Sequence, residues 1–250
     1  MKAEIIEKGL NYNGKVVLLD ETPSTNTYVL SNKTDAGDIV VAVTQTKGKG
    51  RAGKQWVSNT NSIAMSISLD PKIPPSKLPA VPLIFGVAVC SVIREISQID
   101  AMIKWPNDIV YNGKKLCGIL CEAKTEDGNV VSVVCGAGIN VNDTEFSKEI
   151  ESIATSLKKE TGKTFDRNEI IYKIANAFNS LVSIGYTIPD SFSELCVNIG
   201  RDVVAIANSK KVNGRCKGVD ENGALIITTD GGEITVNSGE VSVRGFYGYY

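Results

Sequence analysis

The sequence predicts an α+β protein, with a large mixed domain over residues 1–197 and a small all-β unit over 198–250. Three observations predict it. Short β-branched or alternating runs recur through the first two-thirds of the chain. Two long segments among them carry apolar residues at helical spacing. From about Ile199 the texture changes to short strands broken by turn signals. At 250 residues the chain can bury one large core and a small one. Its 42% hydrophobic and 22% charged content is an ordinary globular balance.

Val16 to Leu19 reads as a strand leading to a turn at Pro23, after which Ser24 or Thr25 can cap a short helix through Leu30. Ile39 to Val43 is a buried strand by its β-branched content. Ile63, Met65, Ile67 and Leu69 alternate with Ala64, Ser66 and Ser68, the pattern of a half-covered strand. The apolar stretch from Leu78 to Ile93, with Pro79 and Pro82, is too short to span a bilayer and reads as part of a buried helix running to Ile96. Strand-like runs follow at Met102 to Trp105, Lys115 to Glu122, and Val130 to Val134 running toward Ile139. Asp166 caps a long helix in which Ile170, Ile174, Ala177, Phe178 and Leu181 share a face. Turns at Asn213-Gly214, Glu221-Asn222-Gly223 and Asp230-Gly231-Gly232 divide the C-terminal unit into five or six strands.

Composition removes several function classes. A net charge of −1 offers no global field for nucleic acid, so any basic site is local. The mixed-charge start Met1-Lys2-Ala3-Glu4 does not read as a signal peptide. Six scattered cysteines without a CxxC point to reduced thiols and a cytoplasmic location. Histidine is absent, which excludes a Ser-His-Asp triad, a Cys-His pair and any histidine-bearing zinc site. No metal-ligating residues are expected.

Four segments carry chemistry. Lys47 to Lys54, ending at Trp56, packs four cations and three glycines into eight residues. Glycine lets backbone approach an anion, and fixed cations with N–H groups can cradle phosphate. The GxxxxGK[ST] spacing of a Walker A loop is missing, and the same residues also suit a solvated basic hairpin. Lys104-Trp105-Pro106-Asn107-Asp108 is a polar cluster around a proline, equally readable as a turn between strands. Lys115 stands at the mouth of a buried strand in which Gly118 permits close approach of a ligand. Gly136 to Asn142 is a glycine-bearing strand end, and Ser24-Thr25-Asn26 taken alone is an ordinary helix cap.

In this order the segments resemble the biotin protein ligase family over essentially the whole chain. The matching strings are the STN turn, the glycine-rich basic loop Gly48 to Trp56, KWPND, Lys115 to Leu120 with Glu122, and GxGINxN at Gly136 to Asn142. Lys49 and Ala52 stand where arginine is common; Lys49 keeps charge without the planar fork of a guanidinium. The resemblance implies a sheet like that of class II aminoacyl-tRNA synthetases, flanked by helices, and an SH3-like C-terminal barrel. It implies that biotin attacks the α-phosphate of ATP and that a lysine of a biotin carboxyl carrier protein or carboxylase subunit then takes the biotinyl group.

On that reading Lys115, Arg51 and Asp108 are catalytic: two cations for the phosphate oxygens, and a carboxylate that orients the incoming amine. The neutral urea of biotin needs short polar partners in an apolar slot. Thr25 and Gln45 suit it, and the resemblance adds Ser24, Asn26, Lys49, Gly50, Arg51, Lys115 and Gly118. Lys49, Arg51, Trp56, Asn107 and Asn140 are assigned to ATP, with Mg²⁺ accompanying its phosphates. A lipoate or octanoate ligase is the rival of the same fold class, but its histidine-bearing motifs have no counterpart here. Only 23 residues precede Ser24, too few for a DNA-binding domain, so nucleic acid is not an expected partner, and with no apolar run long enough to span a bilayer neither is a membrane. Homodimer formation stays open.

Overall fold

β-Branched and small residues with a period of two build the central layer. In the computed structural model, which describes residues 1–207, 210–237 and 240–243, a helix α1 (Ala3–Gly9) precedes β1 (Val16–Thr22). Then come α2 (Thr25–Ser31), β2 (Ile39–Gln45), β3 (Ile63–Leu69), α3 (Val81–Ser97), β4 (Met102–Lys104), β5 (Asp108–Tyr111), β6 (Lys114–Glu126) and β7 (Asn129–Ile139). The strands form one mixed sheet in the order β1-β2-β3-β7-β6-β5-β4, in which only the β1–β2 pair is parallel. Helices α4 (Leu157–Thr161), α5 (Arg167–Ser183) and α6 (Ser191–Leu195) follow. A second, antiparallel sheet of β8 (Asp202–Ala207), β9 (Lys210–Val219), β10 (Leu225–Thr229), β11 (Gly232–Val236) and β12 (Glu240–Val243) runs in the order β11-β10-β9-β8-β12.

The two faces of the seven-stranded sheet do different things. Ile39, Val41, Ile63, Met65, Ile67, Cys117, Ile119, Cys135, Ala137 and Ile139 face the main core with α3 and α5. The opposite face carries Val40 and Val134 under Val29 of α2, at the β1–β7 side only. Both faces of β3 are therefore buried, and its serines with them. The alternation of residues 63–69 correctly places the faces but not their coverage: α2 seals the face expected to be open.

Other differences have local causes. The helix expected from Leu78 begins as a 3-10 turn at Pro75–Ala80 because Pro79 and Pro82 lack N–H donors; the α-helix proper starts at Val81. The helical run Pro75–Ser97 has 23 residues and contains an 18-residue window with a mean hydropathy of 1.8, so length and composition would let it cross a membrane. It is longer than the apolar stretch suggests, yet two-thirds of that window is buried, in the central core helix. Within the KWPND segment, residues 105–107 do form a turn between strands, but Asp108 already belongs to strand β5, which is paired on both edges and which the sequence pattern does not mark. Asn213-Gly214 is no turn but lies inside β9, where an added Cβ at Gly214 would sit 2.4 Å from the Thr228 carbonyl oxygen. Close packing against β10 outweighs the local turn preference. Asp166 does cap α5, accepting from the Asn168 N–H at 2.8 Å. Residues 244–250 of the expected C-terminal unit lie outside the described residues.

Trp105 joins the two sheets. It is 2% exposed, and its indole Nε1 donates to the Gly223 carbonyl at 2.9 Å while its backbone N–H donates to Asn198 Oδ1 at 2.8 Å.

Candidate active site

Cross-strand register sets a floor of small residues beside α2. One row runs Ala42–Ala64–Gly138–Gly118–Asp108–Lys104 across β2, β3, β7, β6, β5 and β4. The next row is Val40–Ser66–Gly136–Leu120. Directly paired residues share a face, so Ala42, Ala64, Gly138 and Gly118 form a shallow bed with Asp108 and Lys104 at one end. A bed without side chains in a sheet centre lets another group lie on the backbone.

Trp56 lies on that bed. A Cβ at Gly138 would fall 2.2 Å from its ring and one at Gly118 would fall 3.2 Å from it. Its buried Nε1 has no hydrogen-bond partner. The basic loop that carries Trp56 folds on itself: Trp56 N–H donates to Gly48 O at 2.9 Å and Gly50 N–H to Lys54 O at 2.7 Å, around a 3-10 turn Arg51–Gly53. Ala52 and Gly53 both have positive φ, 53° and 75°; glycine takes this geometry without penalty, whereas alanine adopts it at a cost.

Lys115 reaches the same bed because of a β-bulge. Val110 pairs with Lys115 while Ile109 pairs with Cys117, leaving Leu116 as the extra residue. Leu116 and Cys117 both enter the core, and Lys115 is returned to the face of Gly118 and Asp108. Its ammonium lies 2.6 Å from Asp108 Oδ1 and 5.6 Å from the Trp56 ring centroid. Simple alternation along the strand would have sent it to the other face.

The STN turn closes the other side. Ser24 caps α2, accepting from Thr27 N–H at 3.5 Å. Gln45 Oε1 accepts from Thr25 N–H at 2.8 Å and stands 3.2 Å from Thr25 Oγ1. Its amide nitrogen is thereby turned toward Gly48. Ser66 Oγ donates to Asn26 Oδ1 at 2.6 Å and lies 2.7 Å from Thr25 Oγ1. Asn26 Nδ2 donates to Leu120 O at 3.0 Å and to Glu122 Oε2 at 2.8 Å. Ser24, Thr25 and Asn26 are each 3% exposed, so this turn is far more than a cap.

Most of the expected site residues converge. Arg51 Nη1 donates to Asn107 Oδ1 at 3.4 Å, and Asn107 Nδ2 donates to Ile119 O at 2.9 Å. Lys49 Nζ is 3.7 Å from Glu122 Oε1. Asn140 stands apart from the loop: its Nδ2 donates to Thr155 O at 3.0 Å, its N–H to Leu116 O at 2.9 Å, and its carbonyl accepts from Leu157 N–H at 3.2 Å. Sequence reasoning left Ser66, Ser58 and Glu122 out of the site. Ser58 Oγ accepts from Gln45 N–H at 3.0 Å. The signal for Ser66 was its place, with Ser68, on the polar face of a strand whose other face is apolar. Chemically, the arrangement offers cations and backbone N–H groups over a flat bed, with neutral polar partners at one end and an ammonium–carboxylate pair at the other.

Residues 18–140 match the Biotin/lipoate A/B protein ligase family, and residues 199–244 match the Biotin protein ligase C terminal domain. The chain is 35% identical to the bifunctional ligase/repressor BirA of Bacillus subtilis, over 97% of this chain and 76% of that protein. It is 28% identical to the biotin--[acetyl-CoA-carboxylase] ligase of Paracoccus denitrificans, over 91% of this chain and all of that one. Among solved structures, the biotin protein ligase from Aquifex aeolicus in complex with biotin and ATP superposes with a TM-score of 0.82 at 31% identity, covering 92% of this chain and 98% of that one. A glycine bed, a basic loop laid over it and a lysine turned onto it by a bulge thus stand in a chain that matches these relatives over 91–97% of its length, and the chain belongs to the biotin protein ligase family.

Proposed function

We propose that the chain is an ATP-dependent biotin–protein ligase, which forms biotinyl-5′-AMP and transfers the biotinyl group to a lysine of a biotin carboxyl carrier protein. The observation that carries this reading is the Gly118–Gly138 bed, with Trp56 above it and the Lys115–Asp108 pair at its end.

Biotin enters beside α2, where Thr25, Gln45 and Ser24 meet its urea, Asn26 shapes the wall, and the Lys49–Gly50–Arg51 backbone and Gly118 line its path. Its carboxylate and the ATP phosphates are both anions, so their approach is an electrostatic problem solved by fixed cations. Lys115 and Arg51 supply them: Lys115 is held over Gly118 by Asp108, and Arg51 by Asn107. The carboxylate oxygen attacks the α-phosphorus and pyrophosphate leaves with its electron pair. Trp56 rests on the bed without ligand, so it lifts off as ligand enters and then covers the nucleotide, with Lys49, Asn107 and Asn140 as further contacts, and the closed loop keeps water from the mixed anhydride. Asp108 then orients the carrier amine, which attacks the acyl carbon and releases AMP.

Mg²⁺ accompanies the ATP phosphates and helps neutralise their charge. The same reading makes residues 1–197 a class II synthetase-like catalytic domain and 198–250 an SH3-like unit, in a cytoplasmic enzyme that serves carrier protein rather than nucleic acid or membrane. A homodimer is compatible with it.

The test is incubation with ATP, Mg²⁺ and either biotin or lipoate, scoring pyrophosphate release and label transfer to a carrier domain. Biotin-dependent release followed by transfer is expected. Turnover with lipoate and none with biotin would overturn the assignment in favour of the lipoate-ligase reading.

A further inference from the structure

Behind the bed, on the core face, Cys121 and Cys135 are direct partners in the antiparallel β6–β7 ladder, and their sulfurs are 2.6 Å apart. We infer that these two thiols form a reversible modification site, closing to a disulfide when a peroxide reaches Cys121. The inference rests on the sheet and stands independently of the ligase reading.

Three observations carry it. The two cysteines need no change of register to meet, because the ladder already sets them opposite each other. Cys121 is half-buried whereas Cys135 is fully buried, so an oxidant from solvent meets Cys121 first. The other four cysteines are buried without such a partner: the hydrogen bonds of Cys90, Cys117, Cys196 and Cys216 go to carbonyl oxygens or to Asn198. Burial and the bond to Cys121 also push the Cys135 thiol upward, which suits it to the resolving step rather than to the first attack.

The Cys121 sulfur attacks one peroxide oxygen, the O–O bond breaks, and water leaves, with Cys121 as a sulfenic acid. The Cys135 sulfur then displaces the hydroxyl from Cys121, and the departing oxygen takes the Cys135 proton as a second water. Two thiols lose two electrons and two protons, and the peroxide is reduced to two waters. A dithiol reductant reverses the link. The bond would staple β6 to β7 one residue from Leu120, Glu122 and Gly136, the positions against which Asn26 is seated.

The experiment uses the full chain, reduced, freed of reductant and exposed to hydrogen peroxide. It is then denatured, alkylated with N-ethylmaleimide and weighed intact. Reduced protein should carry six adducts, one per cysteine, and oxidised protein four, with a Cys121–Cys135 cross-linked peptide in the unreduced digest and six adducts regained after dithiothreitol. Cys117→Ser, on the same strand face, should still lose two adducts on oxidation, from five to three. Cys121→Ser and Cys135→Ser should each keep five. Cys121 is half-buried, so its serine variant serves as the control if Cys135→Ser does not fold. Six adducts after peroxide, a linkage through any other cysteine, or loss of two adducts in Cys121→Ser would overturn the inference.

Discussion

Gly138→Ala tests whether the bed itself does the chemistry proposed. The added Cβ would lie 2.2 Å from the Trp56 ring, where ordinary contact begins at 3.4 Å, so the ring must retreat by at least about 1.2 Å. Trp56 sits on a loop whose neighbouring residues 52–55 and 57 are exposed, so it can retreat with little effect on the fold. The stability change should stay within about 1 kcal/mol. A ligand on the bed cannot retreat in the same way without leaving Lys115. Filling occupied space costs about 1–3 kcal/mol, which at about 1.4 kcal/mol per factor of ten is a loss of roughly 5- to 150-fold in kcat/KM for biotin-dependent pyrophosphate release. The chain has two tryptophans and Trp105 is fully buried, so a shift in indole emission reports on Trp56. Gly136→Ala is the contrast: its Cβ would be 2.2 Å from Asn26 Oδ1, an atom fixed by Ser66 in a buried network. That variant should lose about 1–3 kcal/mol of stability and several degrees of Tm. Wild-type turnover and unchanged emission in Gly138→Ala would refute the argument.

Lys115→Ala should reduce pyrophosphate release by on the order of 10²-fold or more while thermal unfolding shows a folded protein; unchanged activity would remove Lys115 from the site. Asp108→Asn should slow transfer to the carrier more than adenylate formation, measured by single-turnover assays of each half-reaction, and equal loss in both would count against an amine-orienting role. Trp105→Phe removes the indole bond to Gly223 and should cost about 1–2 kcal/mol in denaturant unfolding, since a buried carbonyl loses its donor. Tyr12 donates from Oη to Gly37 O, and burial first, with the Asp38 carboxylate second, pushes its pKa up to about 12. The fold favours the protonated phenol, so this contribution is complete below about pH 10 and is lost as pH rises from there toward 12. Tyr12→Phe should therefore lower stability at pH 8 by about 1 kcal/mol and flatten its alkaline decline; an unchanged decline would exclude Tyr12 as a source.

Local signals carried a good deal of this. Period-two runs and β-branched content located six of the seven strands of the main sheet, and Asp166 and Ser24 announced their helices by capping chemistry. The missed strand, β5, is only four residues long and follows directly on the KWPND turn, so its Ile109-Val110-Tyr111 run is too short to stand out until pairing on both edges defines it. Helix α1 also escaped notice, having no side-chain cap to mark its start.

The chemical inventory was likewise present in the linear chain: a basic glycine loop, a polar KWPND string, Lys115 and no histidine. Which of these residues meet was not. The bed joins Gly118 and Gly138, from two segments marked in the sequence, with Ala42 and Ala64, which nothing marked, and strand order alone makes them adjacent. Lys115 faces Gly118 because of one extra residue in a ladder, and Ser66 enters the STN network because α2 covers its strand. Cys121 and Cys135 meet through register in the same way. Residue type and spacing along one segment settle what that segment can become and what chemistry it can offer. Contacts between segments depend on pairing partners, bulges and coverage, which are properties of several segments at once and are absent from any one of them.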